Sequence, residues 1–193
     1  EHTKYEYKVT YGEESYTVTV AEGETTAVAT LANGDKVTIT PAATAKVKNY
    51  SDSAEGKNTF TWTVEHDAGY TKGADVYGDL SITKRSVTMT SADGEKQYDG
   101  TPLTKNAQTD VTVSGDGFIE GEGATYDITG TQTEVGSSDN KFTYELNEGT
   151  LAENYDIAEP VYGTLTVTKN TTELKVESSD GEWKYDGTEH TKY

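Results

Sequence analysis

The feature that most constrains this chain is that its sequence repeats on two length scales. Residues 1–5 read EHTKY, and residues 189–193 read EHTKY again. The two copies begin 188 residues apart (189 − 1), which predicts a long repeat of which these residues span one period and a short overlap. Chains made of internal repeats fold as a series of similar units, each of which packs its own core and contacts its neighbours.

A shorter and more degenerate repeat lies inside the long one. An aromatic strand, a strand that begins with Tyr-Gly and a Tyr-Asp-Gly-Thr turn recur in the same order. Units of about 85–100 residues are therefore expected, a size at which a domain folds independently. The matched segments are 58–64 with 140–146 (140 − 58 = 82), 77–84 with 162–169 (162 − 77 = 85) and 92–101 with 179–188 (179 − 92 = 87).

These landmarks divide the chain into three parts. Residues 1–84 form a first module that lacks its opening strand, residues 85–170 form a complete second module, and residues 171–193 are the opening strand of the next repeat, with short linkers such as Lys84-Arg85 between modules. An unpaired edge strand readily pairs with another chain. We therefore expect residues 172–188 of one chain to complete the first module of a neighbouring copy, head to tail. Disorder of this segment, or its pairing within its own chain, would contradict the hypothesis.

Local patterns predict β-strands along most of the chain. Polar and apolar residues alternate with a period of two in nine segments, which indicates strands with one buried face. Asn-Gly and Asp-Gly pairs, which tolerate positive φ, predict turns at 33–34, 99–100, 116–117 and 186–187. One helical turn is expected near Leu151 to Tyr155. The strand segments are 4–11, 15–20, 36–40, 59–64, 79–83, 86–90, 124–129, 141–146 and 163–168.

The strand pattern predicts an all-β fold with a thin core in each module. We expect two small immunoglobulin-like β-sandwiches arranged end to end; β-grasp-like sheet modules fit the same strand count and remain the alternative. In each module an aromatic strand should pack against the closing strand. The expected core residues are Phe60, Trp62 and Val64 against Leu80 and Ile82, and Phe142, Tyr144 and Leu146 against Leu165 and Val167.

Charge and composition exclude several classes of function. Lys and Arg number 16 and Asp and Glu number 34, so the formal net charge is −18. Such a chain lacks the basic surface that nucleic acids need, and an anionic membrane repels it. Hydrophobic residues make up only 32%, but the 14 Tyr within Thr- and Val-rich runs indicate a folded chain. Cysteine is absent, which removes thiol chemistry, and no apolar run is long enough to cross a bilayer.

Four motifs occur in order at consistent spacing. They are QYDGT at 97–101, GTQTEVGSSDNKF at 130–142, ENYDIAEPVYGTLTVTK at 153–169 and KYDGT at 184–188. Together they resemble the YDG/MBG-type tandem repeats of Gram-positive bacterial cell-surface proteins. The second module fits this pattern over nearly its whole length, whereas the first fits only in its closing strand and in NTFTWTV. The resemblance implies secreted, cell-wall-attached proteins whose modules are spacers or adhesive segments, and it implies no catalytic residues.

The acidic loop SGDGFIEGEG at 114–123 is the candidate metal site. Asp116, Glu120 and Glu122 lie at short spacing, and carboxylate oxygens are the ligands that calcium prefers. The spacing of an EF-hand is absent, and acidic residues are common throughout the chain, so a solvated loop is the alternative interpretation. No other cofactor is expected.

Two further motifs admit a functional and a structural interpretation. Tyr98-Asp99-Gly100 and its repeat Tyr185-Asp186-Gly187 are either ligand-facing loops or tight turns anchored by the tyrosine. His66 lies between Glu65 and Asp67, which indicates either a metal or acid–base site or the exposed end of a strand.

Two hypotheses concern mechanical strength and adhesion. Some surface modules join a lysine to an asparagine through an isopeptide bond, for which the candidates are Lys84 or Lys169 with Asn58 or Asn140. Tyrosines on Thr-rich strands could stack on sugars, as rigid aromatics do in binding surfaces, or could instead cover the core.

The expected function is mechanical rather than catalytic. The motifs of serine hydrolases, P-loop NTPases and zinc proteases are absent from the sequence, and no catalytic residue is assigned. We expect a stalk or spacer repeat of a bacterial cell-surface adhesin that projects a distal binding domain. Its partners would be neighbouring repeats, and its location extracellular, anchored to the cell wall through regions outside these residues. The alternative is an adhesive module that itself binds a host glycan or glycoprotein.

Overall fold

The protein folds as β-strands joined by turns and single-turn 3₁₀ helices. The computed structural model describes residues 5–21 and 23–191. The all-β prediction is confirmed, and the 3₁₀ helix Ala152–Asn154 confirms the helical turn expected near Leu151. The other 3₁₀ helices are Tyr50–Asp52, Asp67–Gly69 and Gln108–Asp110. The strands are β1 (Glu6–Tyr11), β2 (Glu14–Thr19), β3 (Ala27–Thr30), β4 (Lys36–Pro41), β5 (Ala54–Asn58), β6 (Phe60–Val64), β7 (Gly78–Leu80), β8 (Arg85–Ser91), β9 (Gly94–Gln97), β10 (Val111–Gly115), β11 (Ala124–Ile128), β12 (Gly136–Asp139), β13 (Phe142–Leu146), β14 (Tyr155–Ile157) and β15 (Thr164–Thr168).

The described residues before Arg85, which we call the first half, contain three small antiparallel sheets. Strands β1 and β2 form a hairpin, β4 lies between β3 and β6, and β5 pairs with β7. Among the described strands, β1 pairs only with β2 and β7 pairs only with β5. Each of these two strands therefore keeps one edge without a β-partner.

We call residues 85–170 the second half. Its first two strands, β8 and β9, pair with later strands of the same half. Strand β8 lies between β10, to which it is antiparallel, and β14, to which it is parallel. Strand β9 pairs in parallel with β15, whose other edge carries β12, and β11 pairs with β13. The opening segment 85–97 therefore supplies one strand to each of two sheets.

Two hydrophobic clusters form the core. One consists of first-half residues around Ile39 and Val64, and the other of second-half residues around Met89 and Phe142. Each sheet of the described chain takes its strands from one side of the Lys84–Arg85 bond. Strand pairing and core packing are therefore local to each half.

The expected core residues occupy their places to different degrees in the two halves. Leu165 and Val167 are buried in the second half, as is Phe142. The matching Leu80 and Ile82 are only half-buried, and Phe60 and Trp62 are partly buried against their cluster. The predicted strand at 79–83 is also shorter than expected, because β7 ends at Leu80. The difference follows from the parallel partner β9, which covers β15 but has no counterpart on β7 among the described strands.

The glycines of the four predicted turns adopt the positive φ that the Asn-Gly and Asp-Gly pairs predict. Gly34, Gly100, Gly117 and Gly187 have φ values between 68° and 93°. An L-residue with a side chain rarely adopts this region, so Asn-Gly and Asp-Gly pairs fix the turn positions from the sequence alone.

The segment after β15 forms no strand over residues 171–191. Residues 192–193 of the predicted opening strand, like residues 1–4 of the first module, lie outside the described residues. Leu174, Val176 and Tyr185 are 93%, 90% and 98% exposed. A strand needs a partner for its backbone groups, and the described chain gives this segment no β-partner.

Candidate assembly site

A groove of about 610 Å³ opens in the first half. Strand β1 lines it, together with residues 70–76 and the apolar side chains of β4 and β6. The indole nitrogen of Trp62 donates to Asp75 at 2.7 Å, and the Lys72 ammonium lies 4.9 Å from the centre of the Trp62 ring. The groove thus runs along the edge of β1 that has no β-partner among the described strands, and its lining includes buried core residues such as Val37 and Ile39.

The position of this groove corresponds to that of β8 in the second half. Tyr70 matches Tyr155 through the repeat spacing (155 − 85), and β14, which begins at Tyr155, is the parallel partner of β8. Strand β10 is the first strand after the Tyr-Asp-Gly-Thr turn at 98–101, and β1 has the same place after the EHTKY repeat. The groove between β1 and residues 70–76 is therefore the place that β8 fills in the second half.

Residues 172–184 have apolar side chains at the repeat positions that are buried in β8. With the spacing of 87 residues, Leu174 matches Val87 (87 + 87) and Val176 matches Met89 (89 + 87). Val87 and Met89 are 1% and 0% exposed in the second half. Leu174 and Val176 therefore have the pattern of buried residues but lie in solvent.

A matched pair of asparagines records the same difference. Asn140 is fully buried, and its side-chain amide donates to the carbonyls of Ala92 at 3.0 Å and Lys105 at 3.1 Å. Ala92 lies in the turn between β8 and β9. Asn58, which matches Asn140, lines the groove. The buried Oδ1 atoms of both asparagines lack a hydrogen-bond partner among the described residues, so the two differ in the pair of carbonyls to which the Asn140 Nδ2 donates. The counterpart of the Ala92 carbonyl is missing from the first half.

A matched pair of glycines marks how closely the opening segment approaches. A Cβ added to Gly163 would lie 2.5 Å from the Ser91 carbonyl oxygen and 2.5 Å from the Ala92 carbonyl carbon. A Cβ added to Gly78, which matches Gly163 (163 − 85), would meet nothing nearer than Asn58 at 3.9 Å. The repeated Tyr-Gly thus keeps space for a backbone that is present in the second half only. Sequence reasoning recorded both Tyr-Gly pairs as landmarks but missed this role, for which their recurrence was the available signal.

The structure does not bring the three calcium candidates together as a site. Asp116 accepts hydrogen bonds from the Ser86 backbone amide at 2.9 Å and hydroxyl at 2.8 Å, and these bonds, the backbone one first, lower its pKa. Glu122 accepts from the Tyr155 hydroxyl at 2.6 Å. Within residues 5–21 and 23–191, no group of three or more His, Asp or Glu side chains is placed to hold a metal ion. Two of these carboxylates, Asp116 and Glu122, thus hold loops through hydrogen bonds, and calcium binding by Asp116, Glu120 and Glu122 stays a prediction.

The two Tyr-Asp-Gly motifs are tight turns. Asp99 accepts from the Thr101 amide at 2.9 Å and the Thr101 hydroxyl at 2.8 Å, and Asp186 makes the same pair of bonds to Thr188 at 3.0 and 2.8 Å. Lys96, 2.8 Å away, is the first cause of a pKa of Asp99 well below its usual range. Tyr98 and Tyr185 are 36% and 98% exposed, so the turn of this motif is observed in both copies but neither tyrosine is buried as an anchor.

His66 takes part in a different cluster from the one its neighbours in sequence indicate. Its Nδ1 lies 3.0 Å from Asp35, which also accepts from the Tyr70 hydroxyl at 2.6 Å. Glu65 instead accepts from the Lys36 amide, and Asp67 pairs with Lys72. The hydrogen bond from Tyr70 is the first cause, and that from His66 the second, of the lowered pKa of Asp35. This cluster ties the turn before β4 to residue 70 at the groove.

Because the pKa of Asp35 is lower in the folded chain than in the unfolded chain, its ionised form stabilises the fold. This stabilisation is complete above the ordinary pKa near 3.8 and is lost as the pH falls through the lowered value. We expect Asp35→Asn to be less stable than wild type at pH 6, and the difference to shrink below about pH 4. Urea midpoints measured at both pH values test this, with Glu13→Gln, an exposed carboxylate in the β1–β2 turn, as control. A difference that stays constant with pH would contradict it.

Two of the isopeptide candidates make other contacts. The Lys84 ammonium lies 4.8 Å from the centre of the Tyr50 ring, and the Asn140 side-chain amide donates to two carbonyls. The isopeptide bond itself stays a hypothesis. The exposed tyrosines are dispersed over both halves and the final segment: Tyr11, Tyr50, Tyr77, Tyr98, Tyr162 and Tyr185.

Comparison of the chain with models of protein families, with curated proteins and with solved structures found no match. Among the described residues, none of the helices has the length and apolar character required to cross a membrane.

Proposed function

We propose that this chain is a structural stalk repeat of a bacterial cell-surface adhesin, without catalytic activity, that holds a distal binding domain away from the cell wall. In this proposal the two halves are small immunoglobulin-like β-sandwich modules in series, and neighbouring repeats are their partners. The separate hydrophobic clusters of the two halves support a modular stalk. The net charge of −18 keeps such extended, crowded molecules soluble and mutually repelled.

The observation that carries the proposal is a set of polar contacts between the two halves, which we call the clamp. The Asn154 side chain accepts from the Tyr50 amide at 2.8 Å and donates to the Asn49 side chain at 3.1 Å. The Ser51 hydroxyl donates to Glu153 at 2.8 Å. These bonds join the 3₁₀ helices Tyr50–Asp52 and Ala152–Asn154, and they support a fixed orientation of the halves, which a spacer needs in order to hold its length.

Replacing Asn154 with alanine is expected to loosen the clamp without unfolding either half. Because the chain has no cysteine, spin labels can be placed on Thr30→Cys and Thr143→Cys, which are exposed positions in different halves. We expect a single narrow distance distribution for the wild-type background and a broad one for Asn154→Ala. Glu148→Ala, an exposed residue of the same region, is the control. An equally broad distribution in the wild-type background would contradict a stiff spacer.

A binding measurement separates the stalk from an adhesive module. The chain is applied to a glycan array and to an immobilised mucin-type glycoprotein at 0.15 M salt, where surface charges more than about 8 Å apart are largely screened. Absence of saturable binding is expected of a spacer. Saturable binding that is lost on substitution of the exposed tyrosines would replace the proposal by the adhesive function.

A further inference from the structure

We propose that residues 172–184 of a second copy of this repeat insert into the first-half groove as two strands, in the places that β8 and β9 occupy in the second half. The inference rests on the proposed function, because an array of stalk repeats needs a contact between successive units. It identifies the segment that binds in the groove.

The second half shows what covers this part of the fold. Strand β8 buries Val87 and Met89 between β10 and β14, and β9 covers β15. In the first half the matching edges of β1 and β7 lack a β-partner among the described residues, and the groove between β1 and residues 70–76 is open. Addition of an extended segment to an exposed sheet edge is a common mode of recognition, in which main-chain bonds give affinity and buried side chains give specificity.

Residues 172–184 match this place in side chain and backbone. Leu174 and Val176 supply the apolar residues of the buried face, at the positions of Val87 and Met89. Gly78 leaves room for the inserted backbone, as Gly163 does in the second half. Asn58 has the repeat position of Asn140, whose Nδ2 donates to the Ala92 carbonyl at 3.0 Å. The counterpart of Ala92 in the inserted segment is Ser179 (92 + 87), so the Nδ2 of Asn58 would donate to the Ser179 carbonyl.

The repeat spacings fix the register of the inserted strands. In the second half, Leu165 is opposite Gly94 and Thr166 is opposite Glu95. Subtracting 85 and adding 87 places Leu80 opposite Gly181, and Ser81 opposite Glu182. By the same arithmetic, the pair of Tyr155 and Arg85 places Tyr70 opposite Thr172.

The geometry also fixes the symmetry of the assembly. The groove and the inserting segment are different surfaces of one chain, so the contact is heterologous and each copy can bind one neighbour at each end. In a continuous array the inserted segment would lead directly through EHTKY into the next β1, as β9 leads into β10 in the second half.

Sedimentation velocity of the 193-residue chain tests the insertion at 0.15 M salt, with two variants that each disable one side. Val176→Asp would bury an unpaired carboxylate, and we expect it to weaken association on the order of 100-fold. Gly78→Ala would place its Cβ against the inserted backbone, and we expect a similar loss. Glu182→Ala matches the exposed Glu95 and should associate like wild type.

The decisive sample is an equimolar mixture of the two variants. Val176→Asp keeps an intact groove and Gly78→Ala keeps an intact segment, so the mixture should form 1:1 dimers and nothing larger, whereas wild type forms longer oligomers. A mixture that stays monomeric, or wild type that stays monomeric at every concentration, would overturn the proposal. Circular dichroism checks that each variant is folded, and Asn58→Ala provides a second groove variant if Gly78→Ala is not.

Cysteine cross-linking tests the register. A chain with Ser81→Cys is oxidised together with a chain carrying Glu182→Cys, and we expect a disulfide-linked heterodimer. Lys184→Cys, two residues out of register, should cross-link at least tenfold less, because disulfides require Cα atoms within about 7 Å. Equal yields would overturn the register. A failure of insertion would leave the clamp unaffected, since spin-label distances within one chain measure the clamp separately.

Discussion

Met89→Ala is expected to lower the free energy of unfolding of the second half by about 2–5 kcal/mol. Met89 is 0% exposed, and β8, which carries it, is the central strand of a three-stranded sheet. Truncation removes apolar contacts and leaves a cavity in a cluster that includes Val87, Phe142 and Tyr155. A thin core has few alternative contacts with which to fill that cavity, which favours the upper part of the range.

Val176→Ala is the matched control for this prediction. Val176 occupies the position of Met89 in the repeat but is 90% exposed, so the expected change in unfolding free energy is within about 0.5 kcal/mol in the monomer. Urea unfolding followed by amide NMR signals of each half resolves which half is affected. A loss in the first half on Met89→Ala, or equal losses for both substitutions, would contradict two locally packed cores.

The strands and turns were predictable from sequence because they depend on local chemistry. The alternation of polar and apolar residues in 86–90 and 163–168 indicates strands with one buried face. Asp-Gly and Asn-Gly pairs favour positive φ at the glycine. These predictions agree with β8, β15 and the turn glycines. The repeat also shows that segment 172–188 has the sequence pattern of residues 85–101. The two segments differ in that only the first of them has β-partners among the described residues.

The pairing of distant strands was not predictable in the same way. Parallel pairing of β8 with β14 joins Arg85 to Tyr155, and no local pattern specifies such a contact. The acidic loop illustrates the same limit. Proximity in sequence groups Asp116 with Glu120 and Glu122, whereas the hydrogen-bond partner of Asp116, Ser86, lies 30 residues away. Asn140 was considered only for a covalent bond, because its burial and its two carbonyl partners depend on the tertiary structure.

Asn140→Ala is the second substitution for which we expect a large effect, a loss of about 2–4 kcal/mol from the unfolding free energy of the second half. The substitution leaves the partly buried carbonyls of Ala92 and Lys105 without their donor, and each unsatisfied group costs roughly 1–3 kcal/mol. The Asn140 carbonyl also accepts from the Ser91 hydroxyl at 2.6 Å, and this bond persists in the variant. The measured loss therefore reports the side-chain amide.

Asn58→Ala is the matched comparison for the loss of unfolding free energy expected for Asn140→Ala. Asn58 has the matching position in the first half, but the turn between β8 and β9 that Asn140 contacts has no counterpart among the described first-half residues. We expect the substitution to change the stability of the monomer by less than about 1 kcal/mol and to act instead on association between copies. Urea unfolding of both variants, alone and at concentrations where wild type associates, separates the two effects. Equal losses of unfolding free energy in the monomer would show that each asparagine acts within its own half. They would contradict the inference that the groove is the second-half core without its opening strands.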